Sequence, residues 1–310
     1  MDTKRFFRYL APNLVTFASL LFGMSSIVSS FEGRYADAAW YVLFSVLTDK
    51  LDGFVARLVK GTSEFGVQLD SFADFLNFGI APATLWYCYL SRPELLATGV
   101  ERALTVSALA LWVLAVTFRL ARYNIVGDDP RCKRIFFGVP TTLMGGMLGA
   151  LFLTVLKYGA DPSGLPIVAT DEPRLLSTLH VGAAIWRYWP ILVAVGAFLM
   201  ASGVKIPKLG VAKSKIITVF IFANVFFGYA AGASRHFPEY LCFGATLWIL
   251  VSIVWGQFNH DARLLHPPPI FPREDHPPHK MPQRPEEDLV PDEDDATAPF
   301  AGTGAAHHKI

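Results

Sequence analysis

The sequence predicts an all-α membrane protein: a polytopic helix bundle of about eight transmembrane helices, followed by a disordered C-terminal tail. Hydrophobic residues make up 53% of the 310 residues and charged residues only 17%, whereas a soluble domain carries roughly 25% charged residues. The apolar residues are gathered into long stretches, and residues 259–310 have the opposite composition. This pattern excludes a soluble globular protein and a largely disordered one.

Eight segments are apolar over the roughly 20 residues that a helix needs to cross a bilayer. In chain order they are residues 10–30, 35–59, 67–90, 103–123, 140–158, 185–204, 216–233 and 240–257. Connections that contain charged residues, Pro or Gly separate them and supply the break between one helix and the next. The second, third and fourth segments also carry internal charges, which are costly in a membrane and therefore mark functional candidates.

Lysine and arginine residues predict the orientation of the chain. The side that holds the N-terminus has fourteen of them before the tail, and the other side has seven. Because cytoplasmic loops are enriched in these residues, we expect an integral protein of the cell (inner) membrane with both termini in the cytoplasm. The net charge of +6 over residues 1–258 suits an anionic lipid surface, and we expect no nucleic-acid partner.

The composition changes after residue 258. Residues 259–310 carry a net charge of −5, many prolines and an acidic run at 292–295, and such a segment cannot bury enough apolar surface to fold. The sequence therefore predicts a transmembrane domain over residues 1–258 and a disordered, Pro-rich acidic cytoplasmic tail over residues 259–310. One alternative is a protein that acts mainly as an interaction partner through this tail.

Four aspartates in the second and third segments are predicted to meet in a helical hairpin. Asp49 and Asp52 lie one helical turn apart, as do Asp70 and Asp74, and the polar stretch 61–64 between the two pairs indicates a turn. When two antiparallel helices follow from such a turn, Asp49 lies beside Asp74 and Asp52 beside Asp70. The sequence therefore predicts a layer of four carboxylates.

Four carboxylates require positive charge among them. Hard divalent cations such as Mg²⁺ or Mn²⁺ prefer oxygen ligands, and two such ions can stabilise both oxygens of a phosphoryl transfer. Gly53 and Gly66 leave space either for close helix packing or for a ligand. Two alternatives remain open: the acids pair with Lys50 and Arg57, or they form the ion pathway of a cation-coupled transporter.

The spacing of these residues resembles a known signature. The motif Asp49-x-x-Asp52-Gly53-x-x-Ala56-Arg57, then eight residues, then Gly66-x-x-x-Asp70-x-x-x-Asp74 is similar to that of the CDP-alcohol phosphatidyltransferase family. Residues 63–66, 69–74, 119–124 and 137–140 further resemble the phosphatidylserine synthase branch of this family. Asn77 departs from the branch, in which a serine is expected.

The resemblance implies a transferase of phospholipid biosynthesis. The family moves the phosphatidyl group of a CDP-linked lipid, here CDP-diacylglycerol, to an alcohol and releases CMP; the branch implies L-serine as the acceptor. Asp49, Asp52, Asp70 and Asp74 are then metal ligands, and Asp74 is also the general base that takes the proton of the serine hydroxyl. The resemblance further implies a homodimer. Alternative acceptors are choline, glycerol 3-phosphate and an inositol compound.

The resemblance also suggests which residues contact the two substrates. The nucleotide-binding candidates are Gly53, Ala56, Arg57, Gly66, Asn13 and Thr16. For the acceptor, Arg119 and Arg122 lie on one helix face, and an arginine fork holds a carboxylate well; Asn124 adds a polar contact. The alternative is that these arginines are anchors at the cytoplasmic face or bind lipid headgroups.

Overall fold

A computed structural model describes residues 3–59, 61, 63–92, 95, 98–126, 135–159, 174–176, 185–207, 215–259, 262 and 267. The elements are α1 (Thr3–Phe31), α2 (Tyr35–Leu58), α3 (Glu64–Asp74), a π-helical segment (Phe75–Ile80), α4 (Ala81–Leu90), α5 (Gly99–Val126), β1 (Ile135–Phe137), α6 (Thr141–Tyr158), α7 (Ile185–Ala201), β2 (Lys205–Pro207), α8 (Lys215–Ser234) and α9 (Pro238–Phe258). The predicted tail falls outside the described residues, except at positions 259, 262 and 267.

The described residues are mostly helical, and each of the eight predicted segments overlaps helical structure. Within the described part of the chain, four stretches are long and apolar enough to cross a membrane, namely Leu10–Phe31, Gly99–Ile125, Thr141–Tyr158 and Pro238–Phe258. They are consistent with an integral membrane protein, and the number of eight spans stays a prediction. The all-α prediction missed one small antiparallel sheet, in which β1 pairs with β2.

The largest buried side chains gather where α4, α5 and α6 meet. Trp86, Tyr89, Trp112 and Phe152 are almost fully buried, and the rings of Trp86 and Phe152 meet edge to face with centroids 4.8 Å apart. Tyr35, at the start of α2, packs against Tyr89 in the same way. Because the acidic residues lie near the opposite end of α2, this aromatic core stabilises the bundle away from them.

Helix α6 approaches its neighbours closely through glycine residues. A Cβ atom added at Gly145 would lie 2.7 Å from the Cβ of Phe78, and one added at Gly146 would lie 2.9 Å from a methyl group of Val46. Real Cβ atoms do not come so close, so larger residues would push α6 away from α2 and from the π-helical segment. The first turn of α6 can therefore lie beside the acidic residues.

The predicted third span contains a π-helical segment, which the sequence did not reveal. It follows directly after Asp74 and covers Phe75–Ile80. Pro82 has no N–H to donate to the carbonyl of Phe78, four residues earlier, and the indole N–H of Trp112 donates to that carbonyl at 3.0 Å. The tertiary contact from α5 thus satisfies a backbone group that a regular helix would leave unpaired.

Asn77, which stands where the phosphatidylserine synthase branch is expected to have serine, lies in this π-helical segment and is buried. Its Nδ2 donates to the Ser19 hydroxyl of α1 at 2.8 Å. The side chain lies directly against Gly23, where an added Cβ would overlap its amide oxygen. Asn77 therefore joins α1 to the segment that follows Asp74, and Gly23 provides the space for it.

Candidate active site

Three carboxylates converge between α2 and α3. Asp49, Asp70 and Asp74 each offer one oxygen, and these oxygens lie within 4.8 Å of one another. Helix α1 packs against both α2 and α3, whereas the described parts of α2 and α3 contact each other little. Among the described residues, the carboxylates therefore face a gap between the two helices and not a packed interface.

The turn before α3 is fixed by a local capping interaction. The Ser63 hydroxyl accepts a hydrogen bond from the backbone N–H of Gly66 at 3.0 Å, as the N-cap residue of a helix does. Helix α3 therefore begins at Glu64, and Asp70 and Asp74, four residues apart within it, lie one turn apart on the same face.

Asp52 is the predicted ligand that is not part of this group of three. It is buried, and its Oδ2 accepts a hydrogen bond from the Thr16 hydroxyl of α1 at 3.0 Å. It interacts electrostatically with Asp49 and Asp70. The structure therefore places Asp52 beside the cluster, with one oxygen occupied by Thr16.

The charges of the cluster are only partly balanced by the protein. Lys50 Nζ lies 3.2 Å from Asp49 Oδ2, and among the described residues it is the one basic group within ion-pair distance of the three carboxylates. At about 5 Å and an effective dielectric constant of about 20, each carboxylate pair repels by roughly 3 kcal/mol. Three oxygen donors of this charge, half-buried and close together, fit a divalent cation such as Mg²⁺ or Mn²⁺.

Thr141, the first residue of α6, is the neighbour of Asp74 that the sequence reasoning missed. Its Oγ1 donates to Asp74 Oδ2 at 3.5 Å and accepts from Arg119 Nη1 at 3.1 Å. Its place in the sequence could have indicated a role in the site, because it directly follows residues 137–140, one of the stretches that carry the family resemblance.

The nucleotide-binding candidates lie on α1, α2 and α3 around the gap. Gly66 lies against the Asn13 side chain, whose Oδ1 would be 3.1 Å from an added Cβ. At Gly53 the nearest atom to an added Cβ is Arg57 Nη1, at 3.7 Å, and Ala56 is half-buried. Among the described residues, only the flexible Arg57 side chain comes within 4 Å of an added Cβ at Gly53. This open space favours ligand approach over close helix packing, the two alternatives left open for this glycine.

The three acceptor candidates differ in their contacts, and Arg122 is the most fully engaged. Its guanidinium group donates to the carbonyl oxygens of Phe137, Met200, Ala201 and Ser202, at 2.6 to 3.2 Å. Because four protein carbonyls already take its hydrogen bonds, the contacts favour a role in joining α5 to the end of α7 and to the small sheet. This differs from the predicted contact with the acceptor.

Gly138 explains how the guanidinium group of Arg122 fits there. Its φ of +79° is in the left-handed region, and an added Cβ would meet Arg122 Nη2 and the carbonyl of Met200. A glycine is therefore required both by the backbone and by the guanidinium group.

Asn124 and Arg119, the other two acceptor candidates, differ in whether their hydrogen-bond donors are already occupied. Asn124 and Ser71 exchange hydrogen bonds of 3.0 and 3.2 Å, so Asn124 also joins two helices. Arg119 is buried, and its Nε has no hydrogen-bond partner among the described residues. Of the three candidates, Arg119 keeps donor capacity close to Asp74.

The chain is similar to proteins of known activity. The CDP-alcohol phosphatidyltransferase family model matches residues 9–170, a range that contains every candidate site residue named above. A CDP-diacylglycerol–serine O-phosphatidyltransferase of Helicobacter pylori is 31% identical over 257 residues, covering 80% of this chain and 96% of the relative. The enzyme of the same name from Mycobacterium leprae is 33% identical over 214 residues, which cover 64% of this chain and 69% of the relative. An archaetidylserine synthase of Methanothermobacter thermautotrophicus is 30% identical over 158 residues, which cover 50% of this chain and 63% of the relative.

Proposed function

Because this chain belongs to the CDP-alcohol phosphatidyltransferase family, we propose that it transfers the phosphatidyl group of CDP-diacylglycerol to the hydroxyl group of L-serine. The products are phosphatidylserine and CMP, and the protein is an enzyme of phospholipid biosynthesis. The observation that carries this function is the convergence of Asp49, Asp70 and Asp74 within 4.8 Å on the hairpin that bears the family signature. Serine is supported by the names of the relatives, one of which is matched over 96% of its length.

In the proposed reaction, the serine hydroxyl oxygen forms a bond to the phosphorus of the phosphatidyl group. The bond between that phosphorus and the oxygen bridging it to CMP breaks, and its electron pair leaves with CMP. The hydroxyl proton passes to the Asp74 carboxylate, directly or through one water molecule. Asp49, Asp70 and Asp74 would hold Mg²⁺ or Mn²⁺, which when bound supplies positive charge against the diphosphate and makes the hydroxyl more acidic.

The lipid substrate also suits the surroundings of the carboxylates. Leu51 and Phe54 of α2 and Phe65 and Phe72 of α3 are exposed on the outer surface of these helices. Apolar side chains of this kind favour the acyl chains of a lipid. The donor would keep its acyl chains in the bilayer while its nucleotide enters the gap between α2 and α3.

We also propose the membrane topology, metal content and oligomeric state that the sequence predicts. These are eight spans in a transmembrane domain over residues 1–258, both termini in the cytoplasm, and a disordered tail over residues 259–310. They also include two divalent ions with Asp52 as a further ligand, and a homodimer. The buried carboxylate of Asp52 supports its inclusion, because a second cation would offset a charge that Thr16 alone does not neutralise.

The test is acceptor-dependent release of CMP from CDP-diacylglycerol by the purified full-length protein in detergent. Serine, choline, glycerol 3-phosphate and inositol are supplied separately, with Mn²⁺ or Mg²⁺ and then with excess EDTA. We expect release with serine and a divalent ion, and none with EDTA. Release with another alcohol alone would overturn the acceptor. Folded protein that is inactive with every alcohol would overturn the transferase and favour a cation-coupled transporter.

Gly53 tests the nucleotide site separately, because the fold does not require a glycine there. Alanine fits the open space and favours helix by about 1 kcal/mol. We expect Gly53→Ala to raise the KM for CDP-diacylglycerol about tenfold, because the added methyl group crowds the nucleotide. The thermal midpoint should be unchanged or higher. Gly244→Ala in α9, where an added Cβ meets no described residue within 4 Å, is the control and should change neither quantity. A normal KM in Gly53→Ala would contradict the assignment.

A further inference from the structure

We propose that Thr141 is a positioning residue that orients the Asp74 carboxylate, and that Arg119 sets the direction of the Thr141 hydroxyl. The inference rests on the proposed function, because it concerns the orientation of the group that accepts the substrate proton. Thr141 lies 67 residues from Asp74 in the chain, and the two meet only because α6 begins next to the end of α3.

The donors and acceptors of the three side chains fix the order of the hydrogen bonds. A guanidinium group has only N–H donors, so the bond of 3.1 Å from Arg119 Nη1 occupies a lone pair of Thr141 Oγ1. The single hydroxyl proton must then point elsewhere, and Asp74 Oδ2, at 3.5 Å, accepts it. Hydrogen bonds in catalytic sites are often long without substrate and shorten in the complex.

This arrangement holds Asp74 without neutralising it. Arg119 and Asp74 attract each other electrostatically, but the Thr141 hydroxyl lies between them. A direct ion pair would compete with a cation and with the substrate proton for the carboxylate, whereas the neutral hydroxyl contacts one oxygen, Asp74 Oδ2, and adds no positive charge. Only 1% of Thr141 and 6% of Arg119 are exposed to solvent, so water competes little for these hydrogen bonds.

The packing of α6 explains why Thr141 is held in this position. Four residues after Thr141, Gly145 lies against Phe78, which itself follows Asp74 by four residues. The two helical runs are therefore in contact one turn beyond the hydrogen bond, and this contact fixes the distance between Thr141 and Asp74. Thr141 is the first residue of α6, so the N-terminus of this helix lies beside the carboxylate.

Two variants of Thr141 test the inference in the serine-dependent CMP assay. Thr141→Val removes the hydroxyl and keeps the shape, and Thr141→Ser keeps the hydroxyl and removes a methyl group. We expect Thr141→Val to lower kcat about 10- to 100-fold, the loss typical of a misoriented catalytic group. The KM of each substrate and the thermal midpoint should stay near the wild-type values. Thr141→Ser should keep most of the wild-type kcat.

Thr142→Val is the matched control. Thr142 is the next residue of α6 and is also buried, but its side chain makes no hydrogen bond to another described residue, so the kcat of Thr142→Val should match the wild type. Wild-type kcat in Thr141→Val, an equal loss in Thr141→Ser, or a loss confined to KM would each overturn the inference and leave the proposed function standing. A wild-type protein inactive with every alcohol would overturn both.

Discussion

Asp74→Asn is expected to reduce serine-dependent CMP release by at least about 100-fold, because a general base contributes about 10²- to 10⁴-fold to a rate. Asparagine has the same shape and accepts the hydrogen bond of Thr141, but it cannot take the proton of the attacking hydroxyl. It also removes one of the three charges that converge within 4.8 Å. The measurement is kcat for CMP release by the full-length protein in detergent, at saturating serine and divalent ion.

Two matched variants separate the role of a base from that of a ligand or of surface charge. Asp49→Asn alters a ligand but not the base, so a higher Mn²⁺ concentration should restore part of its activity, whereas Asp74→Asn should not recover. Asp37→Asn, at the other end of α2, changes a partly exposed aspartate that pairs with Arg34 and Arg235, and its activity should be normal. A folded Asp74→Asn protein with more than a tenth of wild-type kcat would contradict the assignment.

Much of the carboxylate cluster could be predicted because it depends on local geometry. Asp70 and Asp74 share a face of one helix, and a short turn brings Asp49 opposite them, so sequence numbers were enough to place three of the four acids together. Asp52 was predicted to lie beside Asp70. Asp52 does interact electrostatically with Asp70, but it is not among the three acids whose oxygens converge. Its Oδ2 accepts a hydrogen bond from Thr16 of α1, a helix that the hairpin geometry did not include.

The contacts that sequence reasoning missed all join residues far apart in the chain. Thr141 reaches Asp74 because glycines let α6 approach closely, and no local pattern reports that distance. The carbonyls that Arg122 contacts at the end of α7 lie 78 to 80 residues away. In the π-helical segment, the carbonyl of Phe78 accepts a hydrogen bond from the indole of Trp112, which lies 34 residues away on another helix. The spacing of Arg119 and Arg122 indicated an arginine pair, but only the tertiary structure distinguishes their contacts.

The second large effect is expected far from the carboxylate cluster, at the ends of α6 and α9. Lys157 Nζ lies 3.1 and 3.2 Å from the two carboxylate oxygens of Glu239, and the two side chains are 6% and 0% exposed. The Tyr158 hydroxyl and the backbone N–H of Leu175 also donate to Glu239, each at 3.0 Å. Each charge also lies at the helix end that favours its sign.

Replacing one member of a buried ion pair leaves the other charge without compensation, which destabilises a protein by about 3–5 kcal/mol. We therefore expect Lys157→Met to lower the thermal midpoint in detergent by about 10 °C. The double variant Lys157→Met/Glu239→Gln should recover part of this loss, because it removes the uncompensated carboxylate. Arg187→Met is the control: Arg187 pairs with Glu101 at 3.4 Å and is 76% exposed, so its loss should cost less than about 1 kcal/mol.

Catalysis should respond differently from stability in Lys157→Met. Thr141 and Lys157 lie at opposite ends of α6, about 25 Å apart at 1.5 Å per residue, so the ion pair has no contact with the carboxylate cluster. At a temperature where the variant is folded, its kcat for CMP release should equal that of the wild type. An unchanged thermal midpoint would contradict the argument from buried charge, and a lower kcat in the folded variant would show that the two ends of α6 are coupled.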